Sequence, residues 1–382
     1  MKTDKTDRNL IFASSKRVVI KVGSNVLTQD HGLNIKAIRS LSRQISMLMD
    51  NGVEVIFVSS GAMASGLKKI GLQKRPDEIP KRQAAAAVGQ AGLIMEYEKA
   101  FERYDKKVAQ ILLTSDDLSS RKRYLNARNT IYTLLSWKVV PIINENDTVA
   151  VEEIKFGDND NLAAMIALLM DADILVTLTD IEGLYTTDPR SNSDARLVTV
   201  VDSIKKSIEK MASGIPGALG TGGMLSKIRA ARKVTAAGIP MVIAQGGKPD
   251  ILIKLFAGEE YGTFFIPRKE RLSRRKCWIA FSSKPQGMIV IDDGATNAIV
   301  SEGKSLLPSG ITRVVGEFSE GAPVEFCNMG NEVLGVGLVN YNSAEINKIK
   351  GLKSGKIKEK LGHKSYDEVI HRDNLALTGE CD

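Results

Sequence analysis

Up to about residue 265 the chain keeps switching hydrophobic period, and this alternation limits its fold more than any single motif. Short runs of β-branched and apolar residues at 18–21, 53–58, 108–113, 139–143, 174–178 and 241–244 read as strands. Longer amphipathic stretches at 35–50, 83–101, 124–137, 161–170 and 224–237 read as helices. Strands apolar on both faces belong inside a sheet covered on both sides. The predicted fold class is therefore α/β, a three-layer αβα sandwich around a mainly parallel sheet, with ligands held beyond the carboxyl ends of the strands.

After residue 265 the rhythm changes. Arg268, Lys269, Arg271, Arg274, Arg275 and Lys276 crowd around the single acid Glu270, and glycines then recur from Gly287 to Gly337. Turns at that spacing predict short strands at 287–291, 298–300, 314–315, 323–326 and 333–339, closing into a small C-terminal β-barrel. The expected organisation is a catalytic domain at 1–265, a basic linker at 266–283, the barrel at 284–362 and a C-terminal tail at 363–382.

With 43% hydrophobic and 26% charged residues the chain has ordinary globular composition, and no apolar run is long enough to span a bilayer. Residues 1–15 are polar and charged, so a cytoplasmic location and no membrane partner are expected. Cys277, Cys327 and Cys381 lack metal or disulfide spacing and read as free thiols. The formal charge of +8 invites an RNA-binding reading, but residues 285–345 carry eight acids against Lys304 and Arg313. That local balance makes RNA the weaker partner.

The richest chemical segment is 217–227, where glycines run into Gly223, Met224, Leu225, Ser226 and Lys227 ahead of a helix. Such a loop can turn backbone N–H groups toward an anion while the lysine adds charge, so it reads as a phosphate cradle. It departs from the P-loop, because Gly223 and Met224 stand where that motif needs Lys and Ser or Thr. A plain helix cap has the same composition. Lys21 closes the first strand beside Gly23, which suits a phosphate, although the motif by itself is more ordinarily a snorkelling surface lysine. Ser60 and Gly61 follow the second strand at a turn where small residues allow close approach or tight packing.

Two acidic, amide-rich loops lie close together in sequence: Asn144 to Asp147, then Asp158, Asn159 and Asp160. Carboxylates for an ammonium group and amides for a carboxylate suit an amino acid, although one residue of the second loop also serves to start the next helix. Thr179-Asp180 ends another strand where a nucleotide fits. His31, His363 and His371 are the only histidines, and none falls in these segments. A carboxylate nucleophile needs no such base, being ionised at neutral pH.

In order and spacing, the segments around Lys21, Ser60, residues 83–90, Asp147, Asp158, Thr179 and residues 221–227 resemble the amino acid kinase family, and the barrel resembles a PUA domain. The resemblance implies phosphoryl transfer from ATP, with Mg2+, to the side-chain carboxylate of L-glutamate, opening proline synthesis under feedback inhibition by proline. It implies that Lys21 and Lys227 share the charge of the migrating group, that Asp160 holds both lysines, and that the amides of Gly23 and Gly61 assist. Ser60, Asp147 and Asn159 would bind glutamate with Asn144 and Asp158 nearby. Lys21, Gly23, Gly61, Thr179, Asp180, Thr221, Gly222, Gly223, Met224, Leu225, Ser226 and Lys227 would hold ATP, and no metal ligand is assigned. Residues 114–129 resemble the family's loop near the acceptor site and read equally as a polar surface loop leading into a helix. A homo-oligomer and a glutamyl phosphate reductase as the consumer of a labile product are further expectations. Within the fold, acetylglutamate, aspartate, carbamate and UMP are rival acceptors, and Asp147 favours one with a free α-amino group.

Overall fold

The computed structural model describes residues 7–29, 32–72, 74–149, 159–213, 223–269, 272–281 and 283–378. The chain divides into two units, Met1–Glu270 and Arg271–Asp382.

The first unit is built on eight strands: β1 (Arg17–Val22), β2 (Glu54–Val58), β3 (Lys107–Leu113), β4 (Val139–Glu145), β5 (Ile174–Thr179), β6 (Val200–Val201), β7 (Met241–Gln245) and β8 (Thr263–Phe265). Their order across the sheet is β3-β4-β2-β1-β5-β7-β8-β6. The first six of these strands run parallel, and β8 turns antiparallel to β7. From β1 the chain builds outward to β2 on one side and later to β5 on the other. The crevice beyond the carboxyl end of β1 is thus a topological switch point, where such sheets place ligands.

The strand residues explain the position of β1. Val18, Val19, Ile20 and Val22 are fully buried, and alternate side chains enter the two helical layers. Burial of each such side chain contributes about 2 kcal/mol. The helices that matter for the site are α1 (Ile35–Asp50), α2 (Ala62–Lys69), α3 (Ile79–Glu102), α4 (Arg121–Ser136), α5 (Asn159–Met170) and α6 (Met224–Ala236). α5 is buried along almost its whole length, from Asn159 to Met170. Helices α2 and α3 touch at the backbone: a Cβ on Gly66 would stand 1.7 Å from the Ala85 carbonyl oxygen, and one on Gly89 1.7 Å from that of Ala62. Only glycine admits this approach.

The second unit holds β9 (Met288–Ile291), β10 (Ile311–Val315), β11 (Pro323–Cys327), β12 (Val333–Leu338) and β13 (Leu375–Leu377) in the order β10-β9-β11-β12-β13. Ile289, Ile291, Val324, Phe326 and Tyr341 lie in its own core. Two features differ from the sequence expectation. Residues 298–300 end a helix, Asp293–Val300, instead of forming a strand, because Asp292 caps the Ala295 N–H, and Ala295 and the buried Ile299, four residues apart, share the face that packs on the core. Part of the expected tail is β13, which pairs antiparallel with β12. The basic connector contains a helix, Arg274–Phe281. Cys277 and Cys327 are buried thiols in no disulfide among the described residues, while His31 and Cys381 lie outside those residues.

Candidate active site

Three charged side chains from three elements meet at the carboxyl edge of the sheet. Lys21, next to last in β1, sits level with Val58 of β2 and Thr177 of β5, and only 5% of it is exposed. Asp160 lies in the first turn of α5 and is 2% exposed, with its charge at the positive end of the helix dipole. Lys227 comes from the first turns of α6 and is 5% exposed. Lys21 Nζ is 2.7 Å from Asp160 Oδ1, and Lys227 Nζ is 3.2 Å from Oδ2. Ser226 adds its hydroxyl to Oδ2 at 2.6 Å and also lies 2.9 Å from the Gly223 carbonyl oxygen.

Burial alone would push the Asp160 carboxyl up. The Lys21 and Lys227 ammonium groups, with hydrogen bonds from Lys21 and Ser226, overcome that and hold it at about 2. Asp160 is therefore ionised at neutral pH, and two ammonium groups face its opposite oxygens. The arrangement suits a group such as phosphate.

Beside this cluster the acceptor candidates form an amide network. Asn159 Nδ2 donates to Ser59 O at 3.0 Å, Ser60 Oγ at 2.9 Å and Asn144 Oδ1 at 3.1 Å. Asn144 Oδ1 also accepts from the Glu145 N–H at 2.9 Å, and Asn144 Nδ2 lies 3.4 Å from Gln90 Oε1. Gln90 Nε2 reaches the Glu145 carbonyl at 3.3 Å. Ser60 leads into Gly61, whose φ of +99° lies in the left-handed region and turns the chain into α2. Asp147, just beyond β4, is half-buried. Its carboxyl is pushed up to about 7 by burial and by Glu145, against the opposing pull of Arg75.

On the other side of β1, the ends of β5 and β7 join. Thr179 Oγ1 donates to Asp180 Oδ1 at 2.9 Å, Asn25 Nδ2 to Asp180 Oδ2 at 2.9 Å, and the Gly246 N–H to Thr179 O at 2.8 Å. Burial raises the Asp180 carboxyl, but the hydrogen bonds from Asn25 and Thr179 and the charge of Lys227 leave it lowered. The Gly23 N–H donates to Leu178 O at 2.9 Å, so this amide is held by the sheet edge. A Cβ on Gly23 would stand 3.8 Å from Lys21 Nζ, an ordinary contact, so the space beside the lysine does not by itself call for glycine.

Lys21, Asp160, Ser226 and Lys227 thus form one cluster, while Ser60, Asn144 and Asn159 form a second group, with Asp147 just past the same strand end. Met224 is buried and Leu225 half-buried at the start of α6. Asp158, Thr221 and Gly222 lie outside the described residues. Residues 114–129, expected as a loop leading into a helix, hold a short helix, Ser115–Ser119, started by a capping box of Thr114 and Asp117, and then the first turns of α4. Sequence reasoning gave no role to Asn25, Gln90 or Tyr97, whose hydroxyl meets Ser59 Oγ at 2.8 Å. A signal was present in Gln90 and Tyr97, spaced seven apart on an alanine- and glycine-rich helical face.

The amino acid kinase family model matches residues 16–245, and the PUA domain model residues 287–361. The glutamate 5-kinase of Geobacter sulfurreducens is 51% identical over 371 residues, covering 97% of this chain and 100% of its own. That of Syntrophus aciditrophicus is 50% identical, covering 97% and 96% respectively. Among solved structures, carbamate kinase from Giardia lamblia bound to AMP-PNP aligns with a TM-score of 0.49 and 18% identity, over 67% of this chain and 100% of that one.

Proposed function

The chain belongs to the amino acid kinase family, and from that premise we propose that it transfers the γ-phosphoryl group of ATP to the side-chain carboxylate of L-glutamate. The product is the acyl phosphate L-glutamyl 5-phosphate, and the reaction is the first step of proline synthesis. The observation that carries the mechanism is the pair of buried lysines on opposite oxygens of Asp160.

In this reading the migrating phosphoryl group enters between Lys21 and Lys227, which offset its negative charge as the bond to ADP breaks and the glutamate oxygen closes in. Asp160, with Ser226 on the same oxygen as Lys227, keeps both ammonium groups aimed before substrate arrives. Fixed charges in a site shielded from water stabilise developing charge without reorganisation. Phosphoryl transfer depends mostly on such positioning. The glutamate carboxylate is already the nucleophile, so no proton must be removed from it.

Ser60, Asn144, Asn159 and Asp147 would hold glutamate, with Asp147 set against the α-ammonium group. An acetylated amine would offer no charge to that carboxylate. Thr179, Asp180 and the start of α6 would hold ATP. Among the described residues no group of three His, Cys, Asp or Glu side chains could hold a metal ion. Mg2+ would come with ATP and offset part of the charge of its phosphates.

Proline as a feedback inhibitor, assembly into a homo-oligomer and delivery of the labile product to a glutamyl phosphate reductase extend this reading. No helix among the described residues is long and apolar enough to cross a membrane. A cytoplasmic setting agrees with the supply of ATP and glutamate. The test is ADP release with glutamate, N-acetylglutamate, aspartate and UMP side by side. Turnover with glutamate above the other three is expected, and failure with glutamate alone would overturn the reading.

A further inference from the structure

Helix α3 turns one polar pair toward the acceptor residues. Gln90 and Tyr97 are seven residues apart, two helical turns, and therefore share a face. Tyr97 meets Ser59 Oγ, which lies 3.1 Å from the Ser60 carbonyl oxygen, while Gln90 reaches the end of β4. Both residues are buried.

We propose that Gln90 is a positioning residue for the acceptor: it sets the amide orientation of Asn144 and through it Asn159, so that Asn159 Oδ1 receives the α-ammonium group of glutamate. The inference rests on the reading that the chain phosphorylates glutamate.

The direction of every amide in the chain is fixed by groups that cannot reverse. The Glu145 carbonyl can only accept, so Gln90 must present Nε2 to it, at 3.3 Å. Gln90 Oε1 is then the end that faces Asn144 Nδ2 at 3.4 Å, and it also accepts from Gln110 Nε2 at 3.1 Å. The Glu145 N–H can only donate, and it takes Asn144 Oδ1 at 2.9 Å. One peptide unit and one glutamine thus clamp both ends of the Asn144 amide.

Asn159 follows from Asn144. Its Nδ2 faces the Ser59 carbonyl and Asn144 Oδ1, two acceptors, so a flipped side chain would set oxygen against oxygen. Its Oδ1 is left buried and without a hydrogen-bond partner among the described residues. A buried acceptor in that state is costly and wants a donor. Of the groups on glutamate at neutral pH, the ammonium is the donor, whereas both carboxylates only accept.

Gln90→Met keeps the length and volume of the side chain while removing both hydrogen-bonding ends. The experiment measures, for the full-length chain at saturating ATP, the KM of L-glutamate and the inhibition constant of glutarate, which has the same two carboxylates and no amine. The expected result is a glutamate KM raised about tenfold, the scale of one misplaced buried hydrogen bond, with the glutarate constant changed less than about twofold. Equal changes in both constants, or no change in either, would overturn the positioning role, since general loosening of the site touches both ligands alike.

Should Gln90→Met fail to fold, Gln90→Glu decides by the same two constants. It keeps the acceptor that faces Asn144 and drops the donor to Glu145, so a selective rise in glutamate KM of about threefold is expected. Equal effects on glutarate would again overturn the role. An unmodified chain that releases no ADP with glutamate would instead bring down the underlying functional reading, which separates the two failures.

Discussion

Lys21 and Lys227 hold opposite oxygens of one carboxylate, at 2.7 Å and 3.2 Å from Asp160. One lysine comes from the central strand and the other from a helix late in the first unit, so the tertiary fold alone brings them together. If both act on the migrating phosphoryl group, their loss should appear in turnover. Lys21→Met and Lys227→Met are each expected to lower kcat about 10³-fold while glutamate KM stays within about threefold, measured by steady-state ADP release. A defect confined to KM would place the lysines in substrate binding.

Asp160→Asn removes the charge that both ammonium groups face and leaves the shape almost unchanged. The variant is expected to be less stable by about 3 kcal/mol in urea unfolding, the scale for stripping one partner from a buried ion pair. ATP with magnesium should then raise its melting temperature more than that of the unmodified chain, because the phosphates supply the missing negative charge. Equal shifts would mean that ATP does not reach the lysines.

Asp147 carries a pH signature. Its carboxyl titrates at about 7 in the folded chain, above the ordinary 3.8, so the folded state binds the proton more tightly than the unfolded state. Between about pH 4 and pH 7 this residue's contribution to stability falls as pH rises, and above pH 7 the full cost is present. Asp147→Asn should therefore be the more stable protein at pH 8 and no more stable at pH 4. If ionised Asp147 receives the glutamate ammonium group, glutamate KM should climb up to about tenfold per unit below pH 7, and in Asp147→Asn that slope should vanish.

The glycine contact between α2 and α3 gives a test of architecture. A methyl group at Gly66 or Gly89 would meet a carbonyl oxygen of the other helix at 1.7 Å, a distance no side-chain rotation relieves. Gly66→Ala and Gly89→Ala are each expected to cost about 3 kcal/mol or more in denaturant unfolding. Because α2 starts immediately after Ser60 and Gly61, activity should fall more steeply than stability.

Much of the first unit was legible because its strands announce themselves as unbroken apolar runs. Val18 to Ile20 and Ile174 to Leu178 could belong only to buried strands once turns bounded them. Lys21 and the residues around Asp160 and Lys227 drew attention as charges placed at strand or helix ends. The hydrogen bonds joining them were not legible: Ser226 on Asp160 and Gln90 on Asn144 link positions far apart in sequence, and only the packed fold sets which amide faces which. In the second unit, the β-branched residues Ile299 and Val300 misled, since the cap at Asp292 outweighed strand propensity. β13 was hidden by its brevity, three residues amid polar sequence, and is recognisable only by its partner β12.

The pairing of Leu375–Leu377 with β12 also sets a schedule for synthesis. The strand that finishes the second sheet is made only once the chain has passed residue 375, whereas every strand of the first sheet has been made by Phe265. Since domains fold in turn from the N-terminus as they emerge, the first unit can mature while the second is still being translated. A ribosome stalled shortly before residue 375 would then hold a finished first unit beside an incomplete second one.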